Sequence, residues 1–125
     1  MENKKILVAD DEPYILRSLS FVLKKEGFTV EVARDGEEAL KKVEEFKPKI
    51  LFLDIMMPKK DGYQICKYLK NNHNTKDIYI IMLTAKSQDA DKEKGLRAGA
   101  NEYLTKPFSP VKMLQRLEEI FGGTR

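Results

Sequence analysis

The sequence of 125 residues has no tryptophan, one cysteine and one histidine. A single cysteine, Cys66, excludes an internal disulfide and suits a reducing compartment. A single histidine, His73, gives little support to a histidine-rich metal site or a cysteine–histidine catalytic pair. No apolar stretch is long enough to cross a bilayer, and no signal-peptide core follows the N-terminus. We therefore expect a cytoplasmic protein that does not contact membranes.

The chain also lacks any concentration of charge of one sign. Its net charge is +3 at pH 7, and lysine and glutamate are interspersed along the predicted helix faces. A nucleic-acid-binding domain would show a basic stripe, so direct binding to nucleic acid is not expected. With 42% apolar and 34% charged residues, the composition is that of a globular protein, and the length predicts one domain over residues 1–125.

Strand and helix patterns alternate along the chain, which predicts an α/β fold with a parallel sheet between two layers of helices. Right-handed crossovers favour a doubly wound five-stranded sheet in the flavodoxin-like order 2-1-3-4-5. The predicted strands are Lys5–Ala9, Thr29–Ala33, Ile50–Leu53, Ile78–Leu83 and Glu102–Thr105. The predicted helices run from Pro13 to a stop at Gly27, from Glu37 to Phe46, from Gly62 to about Lys70, from Ser87 to Ala98, and from Pro110 to about Phe121.

Asp54 directly follows a strand that is apolar throughout, as expected for a strand buried on both faces. The first strand also runs into carboxylates, Asp10 and Asp11. Open α/β sheets bind ligands at the carboxyl ends of their strands, and the predicted order would bring these three side chains together. Three carboxylates repel one another unless a cation lies among them. An all-oxygen set of ligands indicates Mg²⁺, with Mn²⁺ as the second choice.

Two other strand ends supply groups that suit a phosphoryl ligand. The fourth strand ends in Thr84, a hydroxyl donor, and the fifth leads to Lys106, a flexible point cation. A carboxylate nucleophile, a divalent metal, a hydroxyl and an ammonium group are the parts needed to form an aspartyl phosphate. We therefore predict that Asp54 is a phosphoryl acceptor as well as a metal ligand.

Over nearly its whole length, the chain resembles the receiver domains of two-component response regulators, which have the CheY-like fold. It is most similar in pattern to the receivers of winged-helix transcription factors. The motifs that carry the resemblance occur in family order: Asp10-Asp11-Glu12, Asp54 through Gly62, Leu83-Thr84-Ala85, Gly99-Ala100, and Tyr103 through Phe108. The resemblance implies a phosphoacceptor signalling protein, not a metabolic enzyme, that catalyses only its own phosphorylation and slow dephosphorylation.

The resemblance also implies a role for each site residue. Asp54 accepts the phosphoryl group from a histidine of a sensor kinase. Asp11 binds Mg²⁺ directly, with Asp54 and the main-chain carbonyl of Met56, while Asp10 acts through water. Lys106 and Thr84 bind the phosphoryl group, and Tyr103 turns inward as an aromatic switch that an unknown downstream protein reads. The Lys106–Pro107 peptide is expected to be cis.

The first predicted helix carries two apolar stripes, of which one must be core and the other indicates a partner surface. One stripe is Leu16, Leu19 and Leu23, and the pattern leaves open which stripe faces inward. The other is Ile15 and Val22, flanked by Tyr14, Ser18 and Phe21. By resemblance, we expect kinase contacts at Tyr14, Ser18, Phe21 and Phe108.

Several alternatives compete with these assignments. The acidic run Asp10–Glu12 could simply cap a helix, and Asp61-Gly62 is expected to be turn and cap chemistry only. A Mg²⁺-dependent phosphohydrolase with an aspartate nucleophile would want a second aspartate where this chain has Met56. A flavin carrier of similar topology would want a Ser/Thr/Gly phosphate loop after the first strand, which is acidic here.

No DNA-binding domain follows the receiver pattern before Arg125, so we expect a stand-alone, mainly monomeric receiver. An isolated receiver of a larger DNA-binding regulator is the alternative. In related receivers, opposite charges on the last two helices support dimers. Lys94 and Lys112 fall at positions where the opposite charge is expected, whereas Glu102 and Arg116 can still pair.

Overall fold

The structure is a computed structural model that describes residues 4–57, 59, 61–84, 98–106 and 108–121. The predicted helix from Ser87 to Ala98 falls outside these residues apart from Ala98, as does Pro107. The predicted strand bounds agree with the structure to within one residue. In chain order the elements are β1 (Lys5–Ala9), α1 (Pro13–Lys25), β2 (Thr29–Ala33), α2 (Gly36–Phe46), β3 (Ile50–Asp54), α3 (Gly62–Lys70), β4 (Tyr79–Thr84), β5 (Glu102–Thr105) and α4 (Pro110–Ile120).

The five strands are parallel and lie in the order β2-β1-β3-β4-β5, which confirms the predicted flavodoxin-like topology. The register places Ala9 beside Leu53, and Asp54 beside Leu83. Thr84 in turn lies beside Thr105. The residues that end β3 and β4, and those that follow β1 and β5, therefore meet at one edge of the sheet.

Alternate residues of the strands point to opposite faces of the sheet, and each face packs against two of the helices in the described part of the chain. On one face, Val8 and Phe52 join the apolar side chains of α1 and α4. On the other face, Leu7 and Leu51 join those of α2 and α3. All five residues of β3 are buried, and the apolar run Ile50–Leu53 within it is what a central parallel strand requires.

The structure decides which stripe of α1 faces the core. The stripe of Leu16, Leu19 and Leu23 is buried, and Ile15 is buried with it. Val22 is only partly buried, although it packs against the same cluster. Ile15 therefore belongs to the core, although the sequence pattern grouped it with Val22 in the second stripe. The outward face of α1 is carried by Tyr14, Ser18 and Phe21, which are exposed.

Helix ends follow local chemistry that the sequence already indicates. The side chains of Asp35, Asp61 and Ser109 accept hydrogen bonds from backbone N–H groups at the starts of α2, α3 and α4. Gly27, just after α1, has a φ of 95°, the left-handed conformation that glycine adopts without strain. None of the helices in the described part of the chain combines the length and apolar content that a bilayer crossing requires.

At the β5 edge of the sheet, an ion pair joins Glu102 to α4. The Nε atom of Arg116 lies 2.7 Å from Oε1 of Glu102, so the predicted pair forms within one chain. The hydroxyl of Tyr79 donates to the other oxygen of Glu102 at 2.7 Å. Lys112 is exposed, while Lys94 lies outside the described residues.

Candidate functional site

Three carboxylates converge at the carboxyl edge of the sheet, as the strand order predicts. One oxygen from each of Asp10, Asp11 and Asp54 lies within 4.8 Å of the others. Asp10 is fully buried, Asp54 is 6% exposed and Asp11 is exposed. The central strands β1 and β3 therefore bring two carboxylates out of water and leave the third accessible.

The environment of Asp54 disfavours its charged form. Burial, followed by the repulsion of the Asp10 carboxylate, raises the pKa of Asp54 to about 7. Two contacts oppose this rise in the pKa. The ammonium nitrogen of Lys106 lies 3.7 Å from Oδ2 of Asp54, and the N–H of Met56 donates to Oδ1 at 3.3 Å. A cation placed among the carboxylates would remove much of the repulsion.

Among the described residues, Lys106 supplies a positive charge to the site. Its backbone N–H donates to the carbonyl of Thr84 at 2.7 Å, which fixes the chain just after β5. The Nζ atom lies 2.8 Å from Oδ2 of Asp10 and 2.8 Å from Oε1 of Glu12. Burial lowers the pKa of Lys106, but the hydrogen bonds with Asp10 and Glu12 outweigh burial and raise it above its ordinary value. Lys106 is therefore a permanent cation.

The donor set fits a hard divalent cation. The described cluster contains only carboxylates, and Mg²⁺ prefers oxygen ligands and takes one or two carboxylates with several waters. The repulsion that raises the pKa of Asp54 is the repulsion that such an ion would neutralise. Met56 lies at the site through its N–H, with a side chain that is 76% exposed. The role of its carbonyl as a ligand stays a prediction.

The two predicted switch residues lie on neighbouring strands. Thr84 ends β4 and is 4% exposed, one position beyond Leu83, which pairs with Asp54. Tyr103 pairs with Met82, is half-buried, and packs against the cluster on the α2 and α3 face. This arrangement brings the hydroxyl-bearing strand end to the site and places the aromatic ring on the adjacent strand. The inward turn of Tyr103 stays a prediction.

The predicted partner residues divide into two groups. Tyr14 and Phe21 are 61% and 67% exposed, and Ser18 between them is exposed, with its hydroxyl donating to the carbonyl of Tyr14 at 2.7 Å. Phe108, in contrast, is half-buried and packs against the α1 and α4 cluster. The first three form a free face of α1, whereas Phe108 also has a structural role.

Two residues at the site were not predicted from the sequence. Glu12 contacts Lys106, although the acidic run indicated only a cap or a metal site. Gly62 was expected to be turn chemistry alone, but a Cβ atom there would lie 2.5 Å from the carbonyl oxygen of Asp54 and 2.9 Å from the Cα of Ile55. Asp61 does cap α3 as predicted, by accepting from the N–H of Gln64 at 2.9 Å. The close approach of Gly62 to the backbone of Asp54 and Ile55 has no signal in the local sequence pattern.

Other polar residues considered from the sequence take structural roles. Burial raises the pKa of the Cys66 thiol to about 11, so it is a core side chain and not a nucleophile. His73 is exposed, as expected of a loop residue. A groove of about 750 Å³ between α2 and α3 is lined by Val43, Tyr68 and Ile78 among others, and none of the three clustered aspartates lines it. The carboxylate site is therefore separate from this groove.

A parallel sheet in this order, with acidic residues and a lysine at its carboxyl edge, matches the CheY-like form of the flavodoxin fold. The family model of the response regulator receiver domain matches residues 6–118, and the chain belongs to this family of two-component signalling proteins. Receivers of this family are phosphoacceptors that imply a histidine kinase as phosphodonor, and they bind Mg²⁺ through clustered acidic residues.

The chain is similar to several characterised proteins. It is 49% identical over 118 residues to the alkaline phosphatase synthesis transcriptional regulatory protein PhoP of Bacillus subtilis, a match that covers 94% of this chain and 48% of PhoP. It is 46% identical over 110 residues to protein PilG of Pseudomonas aeruginosa, covering 88% of this chain and 82% of PilG. The chemotaxis response regulator CheY4 of Vibrio cholerae is 33% identical, with a TM-score of 0.87, covering 93% of this chain and 97% of CheY4. The chain thus spans about half the length of PhoP and most of PilG.

Proposed function

We propose that this chain is a phosphorylation-dependent switch in which Asp54 accepts a phosphoryl group from a histidine of a sensor kinase. The observation that carries the proposal is the grouping of opposite charges around Asp54. Its carboxylate lies with those of Asp10 and Asp11 within 4.8 Å and is 3.7 Å from the ammonium group of Lys106. A nucleophile, a set of oxygen ligands and a fixed cation are the parts that phosphoryl transfer to a carboxylate requires.

In the proposed step, a carboxylate oxygen of Asp54 attacks the phosphorus of the phosphohistidine. An O–P bond forms while the N–P bond breaks, and the electron pair returns to the imidazole nitrogen. Lys106 neutralises charge on the phosphoryl oxygens, and Thr84 donates its hydroxyl to one of them. Asp10, Asp11, Asp54 and the carbonyl of Met56 would hold Mg²⁺, or Mn²⁺ in its place. When bound, the ion supplies further neutralisation of the phosphoryl oxygens.

The switch that follows is electrostatic. A phosphoryl group adds roughly −1.5 to −2 charges and strong acceptors, so it attracts Thr84 and Lys106. Movement of Thr84 vacates space for the ring of Tyr103, which would change the surface that a downstream protein reads.

The in-chain pair of Glu102 with Arg116 supports a mainly monomeric receiver over residues 1–125.

Self-dephosphorylation is expected to be slow, because the exposed Met56 offers no polar group to orient an attacking water. Lys86, two positions after Thr84, lies outside the described residues.

Acetyl phosphate tests the proposal without a kinase. With Mg²⁺ present, mass spectrometry should show one added phosphoryl group, localised to Asp54. The label should be absent with EDTA and in Asp54→Ala, because the metal and the nucleophile are both required. Modification of another residue in place of Asp54 would refute the proposal. Steady release of phosphate from a range of small phosphate esters would instead indicate a phosphohydrolase.

The exposed face of α1 should govern transfer from the cognate kinase. A Phe21→Glu substitution places a charge on a side chain that is 67% exposed, so it should slow transfer by about tenfold while changing the free energy of unfolding by less than about 0.5 kcal/mol. Labelling by acetyl phosphate should not change. Tyr68→Glu is the matched control, since Tyr68 is 57% exposed but lies on α3, across the sheet. Equal slowing by both substitutions would contradict this assignment.

A further inference from the structure

The ammonium group of Lys106 lies closer to two other carboxylates than to that of the proposed phosphoryl acceptor. Its Nζ atom is 2.8 Å from Asp10 and 2.8 Å from Glu12, but 3.7 Å from the proposed acceptor, Asp54. The lysine side chain is only 13% exposed, so little water is available to replace a lost partner. Lys106 must therefore give up at least part of these contacts when it turns to a phosphoryl group on Asp54.

Of the two carboxylates nearest to the Lys106 ammonium group, Glu12 is the one that can leave it at lower cost. It occupies the position before α1, yet its side chain makes no capping hydrogen bond there. Its backbone N–H donates to Oδ1 of Asp10 at 2.9 Å, which holds the residue beside the site and leaves its side chain to reach Lys106. The Glu12 side chain is 47% exposed, whereas that of Asp10 is fully buried. Water can therefore solvate Glu12 after release, but not Asp10.

We propose that Glu12 competes with the phosphoryl group for Lys106 and so restrains phosphorylation of Asp54. The inference rests on the proposed function of Asp54 and adds a regulating residue to the same site. In the unphosphorylated protein, Glu12 shares the ammonium group with Asp10. When the phosphoryl group arrives, Lys106 exchanges Glu12 for phosphoryl oxygens, and the Glu12 carboxylate becomes hydrated. Glu12 is thus a positioning residue that acts through Lys106.

The rate of labelling by acetyl phosphate with Mg²⁺ tests the competition. Glu12→Gln should label Asp54 about three- to fivefold faster than wild type, the range that a half-exposed ion pair supports. Glu12→Asp should also be faster, because it keeps the charge but is too short to reach Lys106. Glu37→Gln is the control for net charge: Glu37 is an exposed acid at the start of α2 that contacts Lys59 and not Lys106, so its rate should match wild type.

A second measurement observes Lys106 itself without metal or phosphate. The ¹⁵N and ¹H resonances of its ammonium group should shift in Glu12→Gln and stay unchanged in Glu37→Gln. An unchanged resonance in Glu12→Gln would overturn the inference, because the contact would then be absent in solution. Slower labelling of Glu12→Gln would overturn it too, since Glu12 would then orient Lys106 for the reaction. An unchanged rate would have the same consequence, provided that wild-type Asp54 is labelled. Failure to label wild-type Asp54 would instead refute the proposed function, and the inference with it.

Discussion

A Lys106→Met variant should lose about 3 kcal/mol of unfolding free energy at about pH 8 without Mg²⁺, because it leaves buried carboxylates without their cation. Asp10 is fully buried and has Lys106 at 2.8 Å, and Asp54 is nearly buried with Lys106 at 3.7 Å. Methionine fills a similar volume but carries no charge. The variant should also fail to accept a phosphoryl group at a useful rate, since the cation that faces the phosphoryl oxygens is gone. Urea unfolding and acetyl phosphate labelling measure the two effects.

The loss of unfolding free energy in Lys106→Met should depend on pH, because the protonation of Asp54 depends on pH. Its folded-state pKa of about 7 is above that of an unfolded aspartate, roughly 3.9. Between these values the folded state binds the proton and the unfolded state does not, so this group's contribution to stability falls as the pH rises. Loss of Lys106 raises the pKa of Asp54 further. The loss of unfolding free energy in Lys106→Met should therefore be largest at about pH 8 and smaller at about pH 5.5.

A partly exposed lysine provides the matched control. Lys42→Met removes a pair with Glu31 whose N–O distance is 2.7 Å, with both side chains partly exposed, so it should cost less than about 1 kcal/mol. Mg²⁺ should restore part of the stability of Lys106→Met, because the three aspartates that would hold the ion are intact. A Lys106→Met cost no greater than that of Lys42→Met would show that the carboxylates do not depend on this cation.

Gly62→Ala should destabilise the domain by about 2–3 kcal/mol, the cost of forcing a methyl group into filled space. A Cβ atom at this position would lie 2.5 Å from the carbonyl oxygen of Asp54 and 2.9 Å from the Cα of Ile55. Both neighbours are backbone atoms, so no side chain can rotate away. The N–H of Gly62 also donates to the carbonyl of Ile55 at 2.9 Å, which ties α3 to the segment after β3. Displacement of that segment should weaken binding of Mg²⁺, which isothermal titration can measure.

Gly27→Ala separates the steric cost from conformational strain. Gly27 has a φ of 95°, but a Cβ atom there would meet nothing within 4 Å, so alanine should cost only about 1 kcal/mol. It lies after α1 and should leave affinity for Mg²⁺ unchanged. If Gly62→Ala costs no more than Gly27→Ala and binds Mg²⁺ normally, then the close approach of α3 to Asp54 does not constrain the site.

Local pattern was sufficient to predict the strands and most helix ends. The apolar run Ile50–Leu53 indicated a doubly buried strand, and the structure buries it completely. Asp61 and Ser109 cap their helices because short polar side chains reach the first free N–H groups, an interaction that spans only three residues. The convergence of Asp10, Asp11 and Asp54 followed from strand order, since parallel strands end at a shared edge.

The tertiary structure decided which neighbours those residues have. The sequence offered two stripes on α1, and only packing showed that Ile15 joins the core while Phe21 stays exposed. Glu12 and Lys106 are separated by 94 positions, so no local pattern links them. The approach of Gly62 to the backbone of Asp54 is likewise a matter of how α3 docks on β3.

By itself, the sequence determined the α/β architecture, the edge of the sheet that carries the acidic residues, and Asp54 as the residue at the centre of the site. These properties depend on the periodicity of apolar residues and on which residues end the strands, and both can be read from the sequence. Only the tertiary structure decided that the Lys106 ammonium group rests on Asp10 and Glu12 and lies farther from Asp54. Distances of this kind are set by how the strands and helices pack, because side chains far apart in sequence meet only after folding.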